Sequence, residues 1–147
     1  MSDTERNRAL VRRFSNAVDE RDYEALDALL SPDFIRHCPA TPDVVVRSPA
    51  DFRRFLEQDA ATFPDSRITL EALVAEGDQV AFWATYTGTQ SGPMGPFPPS
   101  GRHASVEFGG VFRIEGDRIA HMRLTWDNLT LLSQLGHLPQ PSAEGVQ

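Results

Sequence analysis

Two turns of nearly the same composition, Glu76-Gly77-Asp78 and Glu115-Gly116-Asp117, each sit between long runs of strand-forming residues, and they limit the possible folds more than any other feature of the chain. Glycine between two acids reverses the backbone tightly, because it tolerates the left-handed conformation that such turns use. Before the first turn, residues 67–75 alternate, with Ile68, Leu70, Ala72 and Val74 predicted on one side of a strand. After it, residues 79–89 are rich in β-branched and aromatic side chains and read as the hairpin partner. The second turn joins residues 102–114 to 118–126 in the same way. Together they predict a meander of four antiparallel strands.

Helical spacing fills the part of the chain before this meander. Leu10, Val11, Phe14, Ala17 and Val18 form one apolar face of a helix starting near Thr4, which is placed to cap it. Tyr23, Leu26, Leu29 and Leu30 resume the stripe in a second short helix closed by Ser31-Pro32. Ser48-Pro49-Ala50-Asp51 opens a third, with Ser48 as N-cap, Pro49 in the first turn and Asp51 at the electropositive end. Its predicted buried face is Phe52, Phe55, Leu56 and Phe63. Phe34-Ile35-Arg36-His37 is too short to assign, and the prolines after it make 39–47 a loop near a pocket mouth. Residues 91–101, rich in proline and glycine, are a second loop, and 128–135 are helical up to a stop at Gly136. Helices followed by a meander are the α+β order, in which helices cover one face of a curved antiparallel sheet to give a cone. Alternate strand positions line its interior, and its open end is the natural ligand site.

Composition bounds what such a cone can do. A chain of 147 residues, 40% hydrophobic, supports a single domain, placed at 1–138, followed by a polar tail at 139–147 expected to be disordered. A net charge of −7 argues against nucleic acid as a partner. No apolar run approaches the ~20 residues that span a bilayer, and the start lacks a signal-peptide pattern, so no membrane association and a cytoplasmic location are expected. Cys38 stands alone, which excludes an internal disulfide. All 14 basic residues are arginines, so no lysine is available for imine chemistry. His37, His103, His121 and His137 show no paired ligand spacing, and the glycines open no phosphate loop. No metal and no cofactor are expected. Ser105 and Ser133 lack a nucleophile elbow, which disfavours a serine hydrolase.

The candidate working group is Asp127, at the end of the last strand beside Trp126. It also stands directly before a helix, where aspartate is a good N-cap, and the two roles predict opposite shifts: a cap's carboxyl is lowered, a catalytic one in an apolar pocket is raised. His121 shares strand parity with Asp127, together with Arg123 and Thr125, so these form either a polar row inside the cone or a solvated outer row opposite Met122, Leu124 and Trp126. His37 is placed either to hold a substrate carbonyl at the cone's mouth or on a surface loop. Trp83, Tyr86, Phe108, Phe112 and Trp126 supply an aromatic wall or plain core. Arg113 is a candidate for binding an acidic or phenolate oxygen, the alternative being a solvated arginine before a turn.

A wider pattern joins these pieces: Asn7 and Phe14, Leu29-Leu30-Ser31-Pro32-Asp33-Phe34 with His37, Phe63-Pro64-Asp65, Glu76-Gly77-Asp78-Gln79-Val80-Ala81, Thr87-Gly88-Thr89, Pro98-Pro99-Ser100-Gly101-Arg102, Gly116-Asp117-Arg118-Ile119, Trp126-Asp127 and Gln134-Leu135-Gly136. In this order the chain resembles the SnoaL-like polyketide cyclases of the NTF2-like, cone-shaped α+β fold, over about residues 7–138. The resemblance implies cofactor-free acid–base chemistry on a small, largely apolar, oxygenated substrate. It implies that Asp127 shuttles protons during aldol closure of a polyketide, and that the protein forms a homodimer or higher homo-oligomer through its sheet. Where the family's cyclases carry a histidine on the preceding strand this chain has Arg113, with His121 and His103 as substitutes. Epoxide opening, dehydration and double-bond shift occur on the same fold, and a non-catalytic ligand-binding or dimerising module is the third reading.

Overall fold

A computed structural model describes residues 1–139. Along the chain come α1 (Asp3–Glu20), α2 (Tyr23–Leu29), β1 (Leu30–His37), α3 (Pro49–Thr62), β2 (Arg67–Glu76), β3 (Gln79–Thr89), β4 (His103–Glu115), β5 (Arg118–Trp126) and α4 (Asn128–Gln134). The strands form one five-stranded sheet in the order β1-β5-β4-β3-β2. It is curved and does not close. The predicted tail falls outside the described residues, apart from Pro139.

The antiparallel meander β2–β5 forms as its turns dictate, with Gly77 and Gly116 both in the left-handed region at φ 58° and 62°. The fifth strand is the first correction to the sequence reading. Phe34–His37, unassigned from sequence, is the end of β1, which pairs in parallel with β5 and makes the sheet mixed rather than purely antiparallel. Leu30 leaves α2 already extended. Pro32 is tolerated because β1 is an edge strand and its pairing is interrupted between Leu30 and Ile35.

Two further differences are local. Helix α1 is capped by Ser2, not Thr4, through a capping box in which Ser2 Oγ accepts from the Glu5 amide at 3.2 Å and the Glu5 carboxylate accepts from the Ser2 amide at 3.4 Å. In β2 the register shifts between Leu70 and Ala72. That bulge flips the parity, so Ile68 and Leu70 face the core before it, Leu73 and Ala75 after it, and Val74 points outward at 67% exposure.

Ser48 and Pro49 start α3 as expected, the Ser48 hydroxyl accepting from the Asp51 amide at 3.0 Å. Phe52 then ties four elements together. Its ring stacks on Phe14 of α1 at 5.8 Å and meets Phe34 of β1 edge-on at 5.4 Å, while Phe14 meets Phe112 of β4 at 5.3 Å. This aromatic cluster fixes the helices to the sheet's inner face.

The loop at 91–101 owes its shape to the residue before it. Gln90 is fully buried, and its amide nitrogen donates to the carbonyls of Gly92, Phe97 and Pro98 at 3.1–3.3 Å, while His137 Nε2 lies 2.6 Å from its oxygen. A single side chain thus satisfies the inward carbonyls of a segment with few backbone partners.

Candidate active site

Strand parity sorts the predicted residues into two groups. Met122, Leu124 and Trp126 of β5 face the helices, as do Phe82, Ala84 and Tyr86 of β3 and Phe108 and Phe112 of β4. His121, Arg123 and Thr125 therefore lie on the outer face, the second of the two arrangements open from the sequence. There His121 is opposite Arg113 on β4 and Ile35 on β1, and His37 is opposite Arg123. Its partial burial, then Arg123, Arg113 and His37, lower the pKa of His121 below the usual histidine value. Arg113 pairs with Glu115. Trp83 also points outward, 49% exposed, its indole lying across Gly109, where a Cβ would stand 2.4 Å from Cε3. The row of His121, Arg123 and Thr125 is thus the solvated outer one, and His37, Trp83, Arg113 and His121 lie on the face opposite Tyr86, Phe108 and Trp126.

Asp127 sits at the sheet's rim as the N-cap of α4. Its carboxylate accepts from the amides of Leu129 at 2.9 Å and Thr130 at 3.3 Å and from the Thr130 hydroxyl at 2.7 Å. The hydroxyl and amide of Thr130 hold the exposed carboxyl below the usual aspartate range. This is the shift of a cap, opposite to the raised value expected of an acid in an apolar pocket.

The inner face carries polar groups that the sequence reading passed over. Asp59 lies on the inward face of α3, where its carboxylate accepts from the Tyr86 hydroxyl at 2.8 Å. Burial pushes the Asp59 carboxyl above the usual range; the Tyr86 hydrogen bond and the positive charges of Arg36 and Arg21 oppose the shift. Burial and the neighbouring carboxylate push the Tyr86 phenol well above its ordinary value, so Tyr86 remains a donor. Arg36, on β1, is the third member. Only 5% exposed, its guanidinium lies 4.2 Å from the Phe55 ring and 5.9 Å from the Trp126 ring.

The signal for Asp59 is present in the sequence. It follows Phe55 by four positions and Phe52 by seven, which puts it in the apolar stripe of α3. Arg36 alternates with Phe34 and Cys38, both buried, and becomes visible once 30–37 is recognised as a strand.

The space beside Asp59 and Tyr86 is a cavity of about 20 Å³, bordered by Asp19, Arg21, Ser66 and Ile68. A groove of about 480 Å³ at the other end of the molecule, between the start of α1 and the two hairpin turns, contains none of the candidate residues. Above Arg36 lies the segment 38–47, held by the Arg36 amide donating to Val46 O at 3.0 Å and by Asn128 Nδ2 donating to Ala40 O at 2.7 Å. A ligand of several fused rings needs roughly 300 Å³ or more, so the cavity as it stands does not enclose one. Among the described residues no three His, Cys, Asp or Glu side chains are grouped to hold a metal, and no helix is long and apolar enough to cross a membrane.

The family model of the SnoaL-like polyketide cyclases matches residues 8–135. The chain belongs to that family. Among solved structures, TsrD from Streptomyces laurentii is 34% identical with a TM-score of 0.82, covering 94% of this chain and 100% of its own. IdmH from Streptomyces antibioticus, a candidate polyketide cyclase, is 29% identical with a TM-score of 0.78, over 88% of this chain and 98% of its own. AclR from Streptomyces galilaeus, a candidate hydroxylase, is 25% identical with a TM-score of 0.81, over 96% and 91%. No curated protein is significantly similar to the chain. As a SnoaL-like protein, the chain has the NTF2-like α+β fold that its motifs imply.

Proposed function

We propose that this SnoaL-like protein is a cofactor-independent acid–base enzyme that closes a ring by an intramolecular aldol reaction in a small, largely apolar, oxygenated metabolite of the polyketide type. The observation that carries the reading is the half-buried Asp59 carboxyl held by Tyr86 on the inner face. A carboxyl whose pKa is raised by burial is a stronger base when ionised and recovers its proton readily, which is what reversible proton transfer at carbon needs. In this scheme the Asp59 carboxylate takes a proton from the carbon next to a carbonyl. The enolate carbon bonds to a second carbonyl carbon of the same molecule, and the resulting alkoxide recovers the proton from Asp59. Phe55, Phe108 and Trp126 hold the chain folded for closure. A homodimer belongs to the same proposal, and it would use the sheet's outer face, where Ile35, Val74 and Trp83 are exposed large apolar side chains.

The test is turnover of a simple acyclic diketone that closes to a cyclic β-hydroxy ketone, which then loses water to a conjugated cyclohexenone followed by its ultraviolet absorbance. Asp59 must be ionised to act as base, so kcat/KM rises with pH through its pKa, on a limb displaced above the ordinary aspartate value of about 3.9. Asp59→Asn keeps an acceptor for Tyr86 but cannot take a proton. It should lose about a hundredfold or more in kcat/KM, and the limb with it. Wild-type kcat/KM in that variant would sink the proposal.

A further inference from the structure

Arg36 is a buried cation whose charge is left without a carboxylate partner. Among the described residues no carboxylate lies within ion-pair distance of it, and Asp59, whose negative charge acts on it from farther away, is bonded to Tyr86 instead. Its hydrogen bonds are weak: one terminal nitrogen donates to Thr41 Oγ1 at 3.4 Å, and the Cys38 sulfur is a further, soft acceptor. Its Nε is buried with no acceptor at all. Arginine stays protonated in proteins, and a desolvated guanidinium donor without an acceptor is costly. Such a group persists where a ligand supplies the missing charge and the missing acceptor together.

The surroundings define that ligand. Phe55 lies against the guanidinium, with Trp126 farther out and Phe108 among the partly buried aromatic residues of the same core, so the neighbours of the guanidinium are flat and apolar and its unpartnered donor, Nε–H, is directional. We propose that Arg36 is an anion-binding residue of the site, taking on Nε–H an anionic oxygen conjugated to a planar unsaturated body, as in an aromatic carboxylate, a phenolate or the enolate of a dicarbonyl compound. This deepens the function proposed above and rests on it for the location of the site. It favours substrates that carry an anionic oxygen or gain one on enolisation, and it gives the enolate formed during ring closure a fixed positive partner.

Benzoate and benzamide, equal in shape and unequal in charge, are the probes. Nitrogen-15 spectra of arginine Nε–Hε groups contain the Arg36 resonance, identified by its loss in Arg36→Lys. Titration with benzoate should shift that resonance saturably while benzamide leaves it in place. Arg36→Gln should weaken benzoate binding about tenfold or more, the effect of one charge-assisted hydrogen bond. The wild-type comparison stands even if the variants fold poorly. An Arg36 resonance unmoved by benzoate, or moved equally by benzamide, overturns the inference. Binding needs no turnover, so benzoate should shift Arg36 in Asp59→Asn as well. If that variant kept full turnover while still binding benzoate, the proton-transfer reading would fail and this one would stand.

Discussion

Asparagine caps a helix as well as aspartate does but cannot carry a proton, which makes Asp127→Asn the variant that separates the two roles of that position. Its carboxylate already receives three hydrogen bonds from Leu129 and Thr130, so Asp127→Asn should leave Tm nearly unchanged and diketone turnover within about twofold of wild type. Asp127→Ala, which removes the cap, should lower Tm by a few degrees in a thermal melt without touching the chemistry. A dead but fully stable Asp127→Asn would return the proton-transfer role to the rim. The sequence names this residue readily because it borders both a strand and a helix, yet it holds no information on which of two adjacent environments the side chain enters. Asp59 is the reverse case. Its place in an apolar stripe is legible, but its value depends on Tyr86 and Arg36, which arrive from β3 and β1 and share no local pattern with it.

Elements whose cause is local follow from the sequence, and those whose cause is a partner do not. The two hairpins rest on a glycine in each turn and on the residues next to it, and the start of α3 rests on Ser48 and Pro49. The bulge in β2 is one extra residue at Glu71, and it turns Ala72 and Val74 away from the core that simple alternation assigned to them. Packing, not propensity, then holds the helices down. Phe52→Ala removes the ring shared by α1, α3 and β1 and should cost about 3–5 kcal/mol of stability. Urea unfolding measures this as a lower midpoint with an unchanged slope. A much smaller loss would mean that Phe14 and Phe34 close the gap between them.

At the scale of the molecule, the sheet separates two surfaces of different chemistry. On the inner side Asp59 and Arg36 stand among aromatic rings; on the outer face His37, His121, Arg113 and Arg123 stand with Glu71, Glu107 and the exposed Ile35, Val74 and Trp83. If the outer face pairs with a second copy, sedimentation velocity should give a dimer for the wild type and a monomer for Trp83→Arg. A monomeric wild type removes that part of the proposal. The sequence pointed to the sheet and its helical cover, but not to the parallel strand at its edge, because the residue facing Ile35 is His121, more than half the chain away.

That edge strand also sets an order of events during synthesis. β1 leaves the ribosome early, together with Arg36, but the strand it must join is among the last segments to be made. Until β5 exists, β1 lacks its ladder partner and keeps only the bridge from Arg36 to Val46. The anion site is therefore a late product of folding: no nascent chain that ends before β5 contains it, however well the first helices have already settled.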